Sequence, residues 1–231
     1  MFADYHLHTE YSDDSNEPME NQVKRAIELG LDEICFTDHV DYGIKRDLDD
    51  PRGIESRIIV EHGKKMESFM TNVNYPEYFK EIQRLKEKYS NLTIKQGLEF
   101  GIQSHTVPAY EKLYDKYKEN LDFVLFSMHQ VRDLELWDQS FQKGKKQQEY
   151  NEQYYDEIYK TMKIFKNYSC LAHLDVLVRY DLNGVYPFEN IEEQIAEILK
   201  LAIADGKGIE INTSSWHYGL KDTQPSQKIL K

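Results

Sequence analysis

The chain has 231 residues, 40% of them hydrophobic and 30% charged, which supplies apolar side chain for one substantial core and excludes a disordered polymer. With 29 Lys+Arg against 41 Asp+Glu the formal charge is −12, a balance that repels a phosphodiester backbone and argues against nucleic acid as a partner. No run approaches 18 apolar residues, no basic-then-apolar leader opens the chain, and Cys35 and Cys170 sit singly in apolar stretches, so a cytoplasmic, single-domain protein with reduced thiols and no membrane span is expected over 1–231.

In chain order, short apolar runs alternate with segments of helical period, the pattern of βα units around a parallel sheet. Strands are predicted at Phe2–His8, Glu33–His39, Thr93–Phe100, Asp122–His129, Ser169–His173 and Gly208–Thr213. The first is followed by a predicted helix over Glu17–Leu29, with Ser15 or Asn16 as N-cap, Pro18 in the first turn and Gly30 as its stop. Further helices are predicted over Tyr78–Tyr89, Val107–Glu119, Gln147–Lys166 and Ile191–Ala204, the last with Gly206 just beyond its end. Two stretches, Asp41–Tyr75 and Val131–Lys146, break the βα rhythm and read as lids or binding loops.

His6 and His8 alternate along the first strand, so both imidazoles can face one metal. Such a pair alone is weak evidence. More telling is position: the first five predicted strands finish in His6/His8, Asp38-His39, Glu99, His129 and His173, each able to bind a divalent cation. In a barrel of parallel strands these ends meet on one face, where barrel active sites lie. His62, His105 and His217 fall outside this pattern, although His105 is close enough to Glu99 in sequence to line a pocket there.

Taken together and in order, Asp4-Tyr5-His6-Leu7-His8-Thr9, Phe36-Thr37-Asp38-His39, Gly97-Leu98-Glu99-Phe100, Phe126-Ser127-Met128-His129-Gln130, Ala172-His173-Leu174-Asp175 and Glu210-Ile211-Asn212-Thr213-Ser214 resemble the successive motifs of the PHP (polymerase and histidinol phosphatase) family, in its histidinol-phosphatase branch. The resemblance implies an α/β fold, a distorted TIM-like barrel of seven strands, holding three divalent metals (Zn, Mn or Fe). Carried over by position, His6 and His8 hold the first metal, Glu99 bridges it to a second completed by His129 and His173, and Asp14 joins His39 on the third. Spacing alone does not separate Asp14 from its neighbour Asp13. The family pattern continues into a final strand with an Asp-x-His pair that this sequence does not contain, so the seventh strand and two complete metal shells are not expected from these residues.

The activity implied is hydrolysis of a phosphomonoester, L-histidinol phosphate, assisted by metals and needing no protein nucleophile. Glu99, His129 and Arg179 are the residues expected to carry the reaction. A guanidinium can grip two phosphate oxygens at once, which singles out Arg179, shortly after the fifth predicted strand, and then Arg132, just past His129. Two other readings stand beside this one: an esterase or exonuclease acting on nucleotides or DNA ends, and an inactive metal-binding module.

Overall fold

The alternation of apolar runs and amphipathic segments is realised as βα units in a computed structural model that describes residues 2–13, 15–61 and 64–231. Asp14 and His62, both singled out from the sequence, lie outside the described residues. The chain divides into two compact units, Met1–Glu99 with Tyr117–Val124, and Phe100–Lys116 with Leu125–Lys231.

The first unit holds β1 (Ala3–Leu7), α1 (Met19–Glu28), β2 (Glu33–Phe36), β3 (His39–Val40), the hairpin strands β4 (Ser56–Glu61) and β5 (Lys64–Phe69), α2 (Tyr75–Lys88) and β6 (Thr93–Gly101) as far as Glu99. β1 runs parallel to β2, and β2 to β6. Val, Ile and Phe at alternate positions are not needed here, because βα crossovers cover both faces of a parallel sheet and bury whole runs such as Ile34-Cys35-Phe36. α1 buries Met19, Val23 and Ala26, a stripe at helical spacing.

The helix starts differ from the sequence expectation. α1 is capped by Pro18 (φ −56°, ψ 132°) and not by Ser15 or Asn16; the Ser15 hydroxyl instead accepts the Glu17 N–H at 3.1 Å, one turn too early. α2 begins at Tyr75, before the expected Tyr78, with Pro76 in its first turn where no N–H is needed. Within β6, Gly97 has a steric reason: a Cβ there would lie 2.7 Å from Phe123 O, 2.9 Å from Cys35 Sγ and 3.1 Å from Phe36 O. The predicted excursion Asp41–Tyr75 contains the β4–β5 hairpin.

The second unit holds the end of β6, α3 (Val107–Tyr117) up to Lys116, β7 (Phe123–Ser127) from Leu125, the short hairpin of β8 (Gln130–Val131) and β9 (Leu134–Glu135), α4 (Gln147–Ile164), β10 (Cys170–Leu171), α5 (Glu192–Ala204) and β11 (Gly208–Ile209). β10 lies parallel between β7 and β11. Its tyrosine-rich helix α4 buries Tyr150, Tyr154 and Tyr155, and α5 buries Ile195, Ile198 and Ala202. Gly206, at φ +67°, follows α5 as predicted.

The predicted strands Ser169–His173 and Gly208–Thr213 shrink to two residues each in β10 and β11. One cause is visible at His173, whose N–H donates to the Glu210 carboxylate at 2.7 Å where a longer ladder would use a carbonyl. A side chain has replaced the backbone partner. Among the described residues, no helix is long and apolar enough to cross a membrane.

Candidate metal centre

In the first unit three imidazoles converge on one buried acid. Glu99 is 0% exposed, and its Oε2 lies 3.2 Å from His6 Nε2, 3.4 Å from His8 Nε2 and 3.0 Å from His39 Nε2. β1 makes this possible by an irregularity: Asp4 pairs with Ile34 and Leu7 with Phe36, so the register slips between them. Such a bulge re-aims side chains at a strand end, and here the rings of His6 and His8 stand 4.8 Å apart and those of His8 and His39 4.5 Å apart.

β2 stops at Phe36, not at His39 as predicted, and the intervening Thr37-Asp38 does separate work. Asp38 is fully buried and accepts the Thr9 N–H at 2.7 Å, the Thr9 hydroxyl, and the Ser12 hydroxyl at 2.6 Å. It therefore ties down the loop that leads to Asp13, while the Glu99 N–H donates to its carbonyl at 3.1 Å. Tyr78, buried in α2, donates its hydroxyl to the Gly97 carbonyl at 3.0 Å and so buttresses the strand two residues before Glu99.

Sequence reasoning missed the acid and base behind His39. Asp41 is 2% exposed, and its Oδ2 lies 3.3 Å from His39 Nδ1 and accepts Lys45 Nζ at 2.9 Å. Lys45 also donates to Asp13 Oδ1 at 2.5 Å. The one available signal was spacing: Asp41 stands two residues beyond His39 and Lys45 four beyond Asp41.

Do these residues suit a metal? His6, His8 and Glu99 each offer one ligand atom, all within 4.8 Å of one another. Several imidazole nitrogens gathered on a buried carboxylate oxygen form a mixed donor set of the kind that takes zinc, manganese or iron. The donor set fits.

In the second unit His129 and His173 lie two residues past the ends of β7 and β10, with rings 5.5 Å apart and 42° between their planes. Both predicted ligands are thus neighbours there. Arg179 donates through Nη2 to Ser214 Oγ at 2.8 Å and Asn212 Oδ1 at 3.3 Å, and through Nε to Gln224. Its guanidinium stacks 4.5 Å over the Tyr218 ring, so the segment Glu210–Ser214 holds this arginine in place.

Arg132 is exposed at the tip of the β8–β9 hairpin, beside Asp133, and both have positive φ, 55° and 61°. His105 is half-exposed and its Nε2 lies 2.9 Å from Asp133 Oδ1. Gln103, fully buried, donates to the same Asp133 oxygen at 3.0 Å and accepts the Asp133 N–H at 2.8 Å. The sequence expectation that His105 lines a pocket thus becomes a defined contact with the hairpin next to Arg132. His217 is exposed in the 3-10 turn Ser214–Tyr218.

Comparison with known proteins gives this geometry a context. Residues 4–214 match the PHP domain family. A histidinol-phosphatase of Lactococcus lactis is 32% identical over 217 residues, which cover 91% of this chain and 71% of that protein. A crystal structure of histidinol phosphate phosphatase from Lactococcus lactis, complexed with zinc, L-histidinol and phosphate, superposes with a TM-score of 0.74 at 31% identity, covering 91% of this chain and 73% of that one. A Listeria monocytogenes structure shares the fold, with a TM-score of 0.75 at 19% identity over 99% of this chain and 89% of its own.

Proposed function

Since the chain belongs to the PHP domain family, we propose that it is a single-domain, metal-dependent phosphomonoesterase that hydrolyses L-histidinol phosphate to L-histidinol and phosphate. The observation that carries this reading is the convergence of His6, His8 and His39 on the Glu99 carboxylate, in a chain 32% identical to a histidinol-phosphatase over 91% of its length.

His6, His8, His39, Asp14 and Glu99 are the proposed metal ligands of the first unit and His129 and His173 those of the second, for three divalent cations of which two would have incomplete shells from these residues. Zinc is the metal of the Lactococcus lactis structure, and manganese or iron suits the same donors. When bound, such cations supply Lewis-acid stabilisation of phosphoryl charge and an acidified water.

The chain's own residues bind and orient. Arg179, fixed by Ser214, Asn212 and Tyr218, is the proposed phosphate clamp, because a guanidinium whose rotamer is already set loses little entropy on gripping an oxyanion. Arg132 and His105 are proposed to meet the substrate from the hairpin side, where Asp133 holds the His105 ring nitrogen. The buried Glu99 keeps its carboxylate away from bulk water, which strengthens any interaction it makes with a cation.

The test is a panel assay of the zinc-loaded protein on histidinol phosphate, mononucleotides and a DNA oligonucleotide with free ends. Selective turnover of histidinol phosphate, abolished by a chelator, is expected. Equal or faster turnover of nucleotides would replace this reading with the nucleotide esterase one, and no turnover by fully loaded protein would leave a metal-binding module.

A further inference from the structure

Lys45 is an awkward residue to bury. A lysine removed from water sheds its proton unless acids surround it, and Lys45 is 5% exposed. Burial by itself pulls its pKa down, but Asp41 and then Asp13 outweigh that and hold the ammonium above its ordinary value. The side chain is therefore a permanent cation seated between two carboxylates, at 2.9 Å from Asp41 Oδ2 and 2.5 Å from Asp13 Oδ1.

Its position relative to His39 gives that cation a use. The oxygen it holds, Asp41 Oδ2, is the one that faces His39 Nδ1 at 3.3 Å. Asp41 is pinned on its backbone side as well: its N–H donates to Asn72 Oδ1 at 2.9 Å, and its carbonyl accepts the Lys45 N–H at 2.9 Å. A carboxylate fixed beside Nδ1 selects the tautomer with the proton there and leaves Nε2 as the basic nitrogen. Nε2 is the nitrogen on the Glu99 side.

We infer that Lys45 is a positioning residue of the metal centre: held also by Asp13, it orients Asp41 so that His39 presents Nε2 to a cation. The inference rests on the metalloenzyme reading above and deepens it. Lys45 touches neither substrate nor metal in this role and acts through its neighbours.

The test is zinc binding by the full chain, with zinc alone as the probe, in wild type and Lys45→Met. Equilibrium dialysis gives stoichiometry and affinity, and long-range 1H–15N NMR of the histidine rings reports which His39 nitrogen carries the proton. Loss of such an outer partner costs about 10- to 100-fold in metal affinity, so the weakest zinc site is expected to lose affinity by that factor, with mixed His39 tautomers and a fall in kcat larger than any rise in KM.

Because Lys45→Met leaves the buried Asp41 and the more exposed Asp13 without the cation between them, Lys45→Met/Asp13→Asn is the second variant. It removes one of the two carboxylate charges, and the same loss of zinc affinity is expected. Zinc affinity that is unchanged or raised in the variant that folds, with His39 still protonated at Nδ1, overturns the inference. That outcome differs from failure of the metalloenzyme reading, which shows as wild-type protein that binds no zinc.

Discussion

Arg132→Gly separates backbone strain from substrate contact, because the two respond in opposite directions. Arg132 and Asp133 occupy φ 55° and 61° between the paired strands Gln130–Val131 and Leu134–Glu135, a two-residue turn that favours Asn-Gly. A non-glycine residue in this region costs about 1–2 kcal/mol, and the extra freedom of glycine in the unfolded chain returns about 0.5–1 kcal/mol of that. The net expectation is stabilisation by about 0.5–1 kcal/mol, or roughly 1–4 °C in Tm for a chain of this size. Asp133 is the wrong place for the exchange, since it holds Gln103 and His105. If Arg132 grips a phosphate oxygen, its loss removes a charge-assisted bond worth about 1.5–3 kcal/mol, so KM for histidinol phosphate should rise about 10- to 150-fold. Thermal unfolding followed by circular dichroism and steady-state kinetics read the two arms. A lower Tm refutes the strain argument, and a KM within threefold of wild type removes Arg132 from the substrate site.

Glu99→Ala deletes the acid on which His6, His8 and His39 converge and should lower kcat/KM at least about 100-fold, or about 2.7 kcal/mol, with fewer bound metals by elemental analysis; activity within tenfold of wild type would contradict its role. Gly97→Ala should destabilise by about 1–3 kcal/mol, since the atoms at 2.7 and 3.1 Å are backbone carbonyls that cannot swing aside; an unchanged urea midpoint would show that the strands yield more easily than this. Burial raises the Asp175 carboxyl to about 6, above the unfolded value of about 3.9, so the folded state binds this proton more tightly. Its contribution is fully present below about pH 4 and is lost as pH rises through 6, at most about 3 kcal/mol. Asp175→Asn should flatten that part of the stability profile of metal-stripped protein, and urea titrations at pH 4.5 and 7 giving the wild-type difference would refute it.

How much of this was legible in the sequence depends on the range of the interaction involved. The six strands and five helices follow from apolar spacing and from glycine stops such as Gly206, which are local. Their ends do not, because they were decided by tertiary partners: the carboxylate of Glu210 takes the His173 N–H and ends a strand early, and Pro18 supplants the two polar residues that read as better caps for α1. The ligand types were readable because metal chemistry restricts them to few residues, and their place near strand ends follows from the βα pattern. The residues that set those ligands are commoner types and carry no such mark. Asp41, Lys45 and Gln103 look in the sequence like ordinary surface polar residues, yet all three are buried, and their side-chain partners lie as far as 32 residues away, as for Lys45 and Asp13. Burial of a polar group is invisible to periodicity when it falls in an irregular segment, and irregular segments are where a barrel scaffold keeps its chemistry. The sequence of such a protein therefore announces its first ring of donors and conceals the second, which shows only in the folded placement of Asp41 and Lys45.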